Sequence, residues 1–172
     1  MAALVDRISG AIDRLNSAIG IAAGWMATFM VVIQFGAVFM RFVFGENLIL
    51  VQDIVLYLHG MIFMLAAGYL LLRDGHVRVD LVYRGLTERQ KSWIDLAGSV
   101  LMLIPFALVL LILSLPYTVS SWQILEGSRE ITGLPLTFVL KTTIPLFAIL
   151  LLLQGGANAL RHCLHLMCGR QA

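Results

Sequence analysis

The chain has 172 residues, of which 60% are hydrophobic and 13% charged, with a mean hydropathy of +0.92. Soluble domains average roughly 45–50% apolar and about 25% charged residues, and a globule this small has too little interior to hide the excess. A soluble enzyme and a disordered region are therefore excluded, and a net charge of +2 offers no basic surface for nucleic acid.

In chain order, residues 4–19 place Leu4, Ile8, Ile12, Leu15 and Ile19 at three- and four-residue steps, with Arg7, Asp13, Arg14 and Asn16 between them. That period predicts an amphipathic helix lying in the membrane interface. Acidic residues accompany the early arginines, and the apolar stretch that follows is too long for the core of a secretory signal. The first transmembrane helix is expected over 17–40, closed by Arg41 and the turn residues Gly45, Glu46 and Asn47. A second is expected over 48–72, carrying Gln52, Asp53 and His59.

Residues 73–92 form a polar connector. Near its end Thr87 and Gln90 form a T-x-x-Q capping box, predicting that the third helix starts in water. The third transmembrane helix is expected over 93–122. Trp93 and Trp122 lie 29 positions apart, roughly 43 Å at about 1.5 Å per residue, so both rings reach the interfaces. Pro105 and Pro116 are potential kinks within it. Gly127, Gly133 and Pro135 mark a loop, and the fourth transmembrane helix is expected over 136–158.

The expectation is an all-α integral membrane protein, a single membrane domain over 1–172 with four transmembrane helices and an N-terminal interfacial helix. Nine of the 12 Lys and Arg residues then fall on the side holding both termini and the 73–92 connector. The rule that cytoplasmic loops are basic makes both termini cytoplasmic.

Ionisable groups within spans are functional candidates. Asp53 lies about 8 Å along the second helix, where it suits a headgroup-level carboxylate, an ion pair with a partner chain, or a pathway contact. Lys141 lies near the outer end of the fourth helix and can pair with Glu126 or Glu130. His59 is expected either to hydrogen-bond against another helix or, in a competing reading, to ligate haem in the membrane anchor of a respiratory redox enzyme. Haem held between helices needs a second axial ligand, and His76, His162 and His165 fall outside the spans. Gly20-x-x-x-Gly24, continued by Ala27, and Gly60 with Gly68 mark close helix approach. Gln154 and Asn158 suit either a bond across helices or the interface. Cys163 and Cys168 with His162 and His165 do not follow a recurrent zinc spacing, so no metal site is expected.

In the connector, Arg73-Asp74-Gly75-His76-Val77-Arg78-Val79-Asp80 alternates polar and apolar residues. It resembles the H-[IV]-x-V-D connector of the small membrane subunit of TRAP transporters, the tripartite ATP-independent periplasmic transporters (DctQ-like small permeases). Arg41-Phe42-Val43-Phe44 is similar to the ending of that family's first helix. Tyr57-Leu58-His59-Gly60, Ser121-Trp122, Glu126-Gly127-Ser128 and Gly133-Leu134-Pro135 through Lys141 resemble its mannitol and chloroaromatic branch. The resemblance covers roughly residues 15–160. One departure is that many members open the second helix with a Trp and two adjacent acids, where this chain reads Leu50-Val51-Gln52-Asp53 and keeps only Asp53.

The resemblance implies a scaffold rather than an enzyme. Its partners would be a large elevator-type membrane subunit, a periplasmic substrate-binding protein and the bilayer, in the inner membrane of a bacterium. It implies uptake of an organic acid or related solute driven by an ion gradient (symport), with no cofactor on this chain. Candidate partner-interface residues are Gly20, Gly24, Arg41, Asp53, His59, His76, Arg78, Asp80, Glu126 and Lys141.

Overall fold

The computed structural model describes residues 2–46, 48–73, 85–128 and 132–168. The connector residues His76, Arg78 and Asp80 lie outside that set. Five α-helices account for most of the described chain: α1 (Ala2–Phe44), α2 (Ile49–Leu72), α3 (Glu88–Gly98), α4 (Ile104–Gln123) and α5 (Thr137–Cys168). Four helical segments are long and apolar enough to cross a membrane: α1, α2, the continuous α3–α4 segment and α5.

The expected interfacial segment and first transmembrane helix are one unbroken rod. Its 43 residues reach roughly 64 Å at about 1.5 Å each, because nothing between residues 4 and 40 interrupts the backbone bonds. The buried stripe along its start is Ser9, Asn16 and Ala23, two turns apart each time, and not the apolar series. Ile8 and Leu15 of that series are exposed.

The third transmembrane segment begins as its sequence predicts. The Thr87 hydroxyl accepts from the Gln90 amide N–H, and the Gln90 side chain accepts from the Thr87 N–H, completing the capping box. Between α3 and α4 the backbone widens into a π-helical turn, Ser99–Leu103, two residues before Pro105. Proline has no N–H to donate, and in an α-helix its ring would strike the carbonyl four residues back, that of Leu101. A wider turn accommodates this without ending the helix.

The fourth span continues past its expected end at 158 to Cys168. α5 is the axis of the bundle and packs against α1, α2, α3 and α4. It supplies most of the core, with Ala148, Leu150, Leu151, Gln154 and Ala157 all buried. The outward surface is almost continuously apolar and includes Trp25, Phe29, Phe35, Phe63, Phe106 and Ile112, as lipid requires. The described connecting residues 45, 46, 48, 124–128 and 132–136 lie at one end of the bundle, the hairpin end. α1 begins and α5 finishes at the other, the termini end.

Candidate functional site

At the termini end a polar network crosses from α1 to α5. Gln154, wholly buried at 0% exposure, accepts from Asn16 Nδ2 at 2.8 Å. Its own Nε2 donates to Asp13 Oδ1 at 3.1 Å and to Asn158 Oδ1 at 3.2 Å. Arg161 pairs with the other oxygen of Asp13 and donates to Asn158 at 3.4 Å. Asn16 Oδ1 is buried without a donor among the described residues, pressed against Gly68 of α2, where any β-carbon would overlap it. Gln154 and Asn158 were legible as a pair, and Gln154 makes the bonds across helices, whereas Asn158 bonds Gln154 and Arg161 of its own helix. Asn16 and the Asp13–Arg161 pair were not. Their signal was the spacing Ser9, Asn16, Ala23, small or polar residues seven apart on one helical face.

Also at that end, Ser92 of α3 hydrogen-bonds His165 of α5 at 2.8 Å, and His162 Nε2 lies 3.9 Å from Asp95 Oδ2. These histidines dock the water-facing start of α3 onto α5.

At the hairpin end the sequence-predicted pair forms: Lys141 of α5 binds Glu126, whose Oε2 also accepts from Ser121 Oγ at 2.7 Å. The Lys141 ammonium also sits 4.0 Å from the centre of the Tyr117 ring, a cation–π contact. Pro145 lies four residues after Lys141 inside α5, so the Lys141 carbonyl loses its helical donor. Thr118 Oγ1 of α4 donates to that carbonyl at 3.3 Å, and Trp122 Nε1 donates to Thr142 Oγ1 at 2.8 Å. The Thr118 bond re-satisfies backbone freed by proline inside a bilayer, and the Trp122 bond ties α4 to α5 through side chains alone.

Glu126 reaches this clasp through a turn. The Leu125 N–H donates to the Trp122 carbonyl at 3.2 Å and the Glu126 N–H to the Ser121 carbonyl at 3.1 Å, the Schellman pattern of a helix end. Its left-handed position is taken by Leu125, at φ 45°, where glycine is usual. Asp53 of α2 accepts from the Leu134 amide at 2.9 Å. Tyr57 OH donates to the Leu134 carbonyl at 3.1 Å and lies 2.8 Å from Thr137 Oγ1. Asp53 and Tyr57 thus fasten the 132–137 stretch to α2.

The remaining candidates separate. Gly20 lies against the Tyr69 ring, Gly60 against Leu140 and Gly68 against Asn16 and Leu150, but Gly24 has open space beside it. It follows buried Ala23 by one residue, about 100° around the helix, so the expected Gly20–Gly24 stripe does not face one neighbour. Arg41 is exposed in the last turn of α1. His59 is exposed on α2, which corrects the expectation that it bonds to another helix of this chain. Buried Tyr57 and Gly68 define the inward side of α2, and at about 100° per residue His59 points roughly opposite. The haem reading fares no better. His59 faces outward, His162 and His165 are engaged at the termini end, and His76 lies outside the described residues.

A bundle of four apolar, membrane-length helices closed by internal polar pairs defines an integral membrane protein. The sequence matches the family model described as "Tripartite ATP-independent periplasmic transporters, DctQ component" over residues 30–164. The chain belongs to that family and is the small membrane component of a TRAP transporter. No curated protein and no solved structure matches it.

Proposed function

We propose that this chain is the static scaffold of its transporter. It braces a large elevator-type membrane subunit during ion-gradient-driven uptake of an organic acid or related solute delivered by a periplasmic binding protein. The observation that carries this reading is how its span charges are used. Asp53 is bound to the Leu134 amide, Lys141 to Glu126, and Asp13 to Arg161. Groups that in a pathway would converge on a substrate or ion here lock helices and loops together. A moving subunit needs a fixed partner anchored in the bilayer, and a bundle braced at both ends suits that task. The distribution of Lys and Arg supports placing both termini in the cytoplasm and the hairpin end in the periplasm of a bacterial inner-membrane protein.

Reconstitution tests the proposal. Proteoliposomes holding this chain alone should accumulate no solute with the binding protein and an ion gradient present. Vesicles holding only the large subunit should regain uptake when this chain is added. Accumulation by this chain alone would overturn the scaffold assignment.

A further inference from the structure

We infer that the outward stripe of α2 centred on His59 is the surface that receives a transmembrane helix of the large subunit, one carrying a hydrogen-bonding group at the His59 level. The inference rests on the scaffold reading and specifies which face of the chain that reading uses.

Three observations carry it. First, depth: His59 is six residues from Asp53 and fourteen from Arg73, roughly 9 Å and 21 Å along the helix axis. Asp53 reaches the hairpin-end loop and Arg73 ends α2, so the imidazole lies inside the hydrocarbon layer and is too short to reach either interface. Second, solvation: an ionisable side chain facing acyl chains is costly, and such groups almost always face protein or a water-filled cavity. His59 is exposed and has no hydrogen-bond or ionic partner among the described residues. Asp53 and Lys141 are both half-buried and paired, and the exposed Arg41 sits in the last turn of α1, at the edge of its span.

Third, surroundings: Leu56, Phe63 and Leu70 are exposed at 59%, 70% and 46%, and fall within about 60° of His59 at 100° per residue. Together they form a long apolar ridge whose one deep polar point is His59, since the exposed Gln52 of the same stripe lies beside Asp53 at the hairpin end. The outward face of α4 is different, because Phe106, Val109, Ile112 and Leu113 present only hydrocarbon to their surroundings, which lipid satisfies. A neutral imidazole both donates and accepts one hydrogen bond. A partner helix with an amide, hydroxyl, carboxylate or freed carbonyl at that depth completes it, and Phe63 one turn away supplies the aromatic anchor typical of interface centres.

Photo-crosslinking in membranes of cells expressing the whole transporter tests this. A benzophenone amino acid replacing Phe63 should join this chain to the large subunit, whereas the same probe replacing Ile112 on α4 should not. Separately, His59→Leu should lower recovery of the large subunit with this chain in detergent about threefold to tenfold, the range expected for losing one interhelical hydrogen bond in a membrane. His59→Gln should stay within about twofold of wild type.

Crosslinks from Ile112 with none from Phe63, while the wild-type complex is recovered, would overturn the face assignment and leave the scaffold reading intact. So would a Phe63 adduct of twice this chain's mass, which would make the occupant a second copy. Failure of the wild-type chain to recover the large subunit would overturn the scaffold reading itself, and this inference with it.

Discussion

The two ends of the bundle are held by different chemistry. At the termini end, uncharged amides are buried among helices, and the Asp13–Arg161 pair sits at their margin. Its bonds join residues 138 to 148 positions apart. At the hairpin end, a half-buried Lys141–Glu126 pair closes a connection of only 15 positions, and Asp53 reaches across to trim the loop. The first device specifies which helices are neighbours, and the second sets how one hairpin turns. A buried amide network has no water to fall back on, so each broken bond leaves an unsatisfied group at a cost of about 1–3 kcal/mol. The hairpin-end charges are partly open, and exposed or half-exposed ion pairs contribute far less.

The sharpest way to break this contrast uses two glycines of α2, Gly68 beside the amide network and Gly60 at mid-helix, away from it. Gly68→Leu drives a side chain into Asn16 and Leu150 and forces Asn16 off Gln154. Overpacking costs typically 1–3 kcal/mol and the lost bonds add to it, so we expect about 3 kcal/mol or more in SDS-induced unfolding from mixed micelles. Gly60→Ala meets only the tip of Leu140, 2.9 Å from its Cδ1, and a flexible leucine can swing aside. Its cost should stay below about 1 kcal/mol. Equal losses would show that the amide network adds nothing to the cost of crowding α2.

Next in size is Gln154→Leu, which strands Asn16 and one oxygen of Asp13, for about 2–3 kcal/mol in the same assay. Glu126→Gln keeps the shape of the hairpin clasp and removes its charge, at about 1 kcal/mol or less. Asn16→Leu combined with Gln154→Leu should cost less than the sum of the single changes, since removing both partners leaves fewer orphans.

A smaller effect isolates the repair of Pro145. Thr118→Val deletes the hydroxyl that serves the Lys141 carbonyl, at about 1 kcal/mol. With Pro145→Ala the helix supplies its own N–H to that carbonyl, and the same threonine change should cost close to nothing. If Thr118→Val is equally damaging in both backgrounds, the hydroxyl matters for packing and not for the freed carbonyl.

Much of this architecture was legible beforehand. Bilayer thickness sets the lengths of apolar runs, so four spans follow from counting, and the Thr87–Gln90 box announces its own helix. The Lys141–Glu126 pair was within reach because a short connection brings its members together. What stayed hidden was rotation. In a helix apolar on every side, lipid and protein interior reward the same residues, so hydropathy does not say which way His59 points. Only the packing of Tyr57 and Gly68 settles it. The unbroken α1 was hidden for a related reason. Polar spacing suggested a separate surface helix, but its polar residues Ser9 and Asn16 are the buried ones, and Asn16 is turned toward Gln154, nearly the whole chain away. The Schellman turn was unreadable because its usual glycine is absent.

That absent glycine gives the smallest prediction and the most direct probe of the hairpin end. Leu125 holds φ 45°, a left-handed conformation that costs a side-chain-bearing residue roughly 1–2 kcal/mol. Leu125→Gly removes that cost. It also enlarges the freedom of the unfolded chain, which opposes the gain by about 0.5–1 kcal/mol. The balance is a stabilisation of about 0.5 kcal/mol, with Glu126 still delivered to Lys141 by the same two backbone bonds. The leucine side chain is 64% exposed, so this chain loses little packing with it. A stabilised variant that recovers the large subunit as well as wild type would make the strain purely local. A stabilised variant that recovers less of it would show that the exposed leucine is retained, against its backbone preference, for contact with the partner.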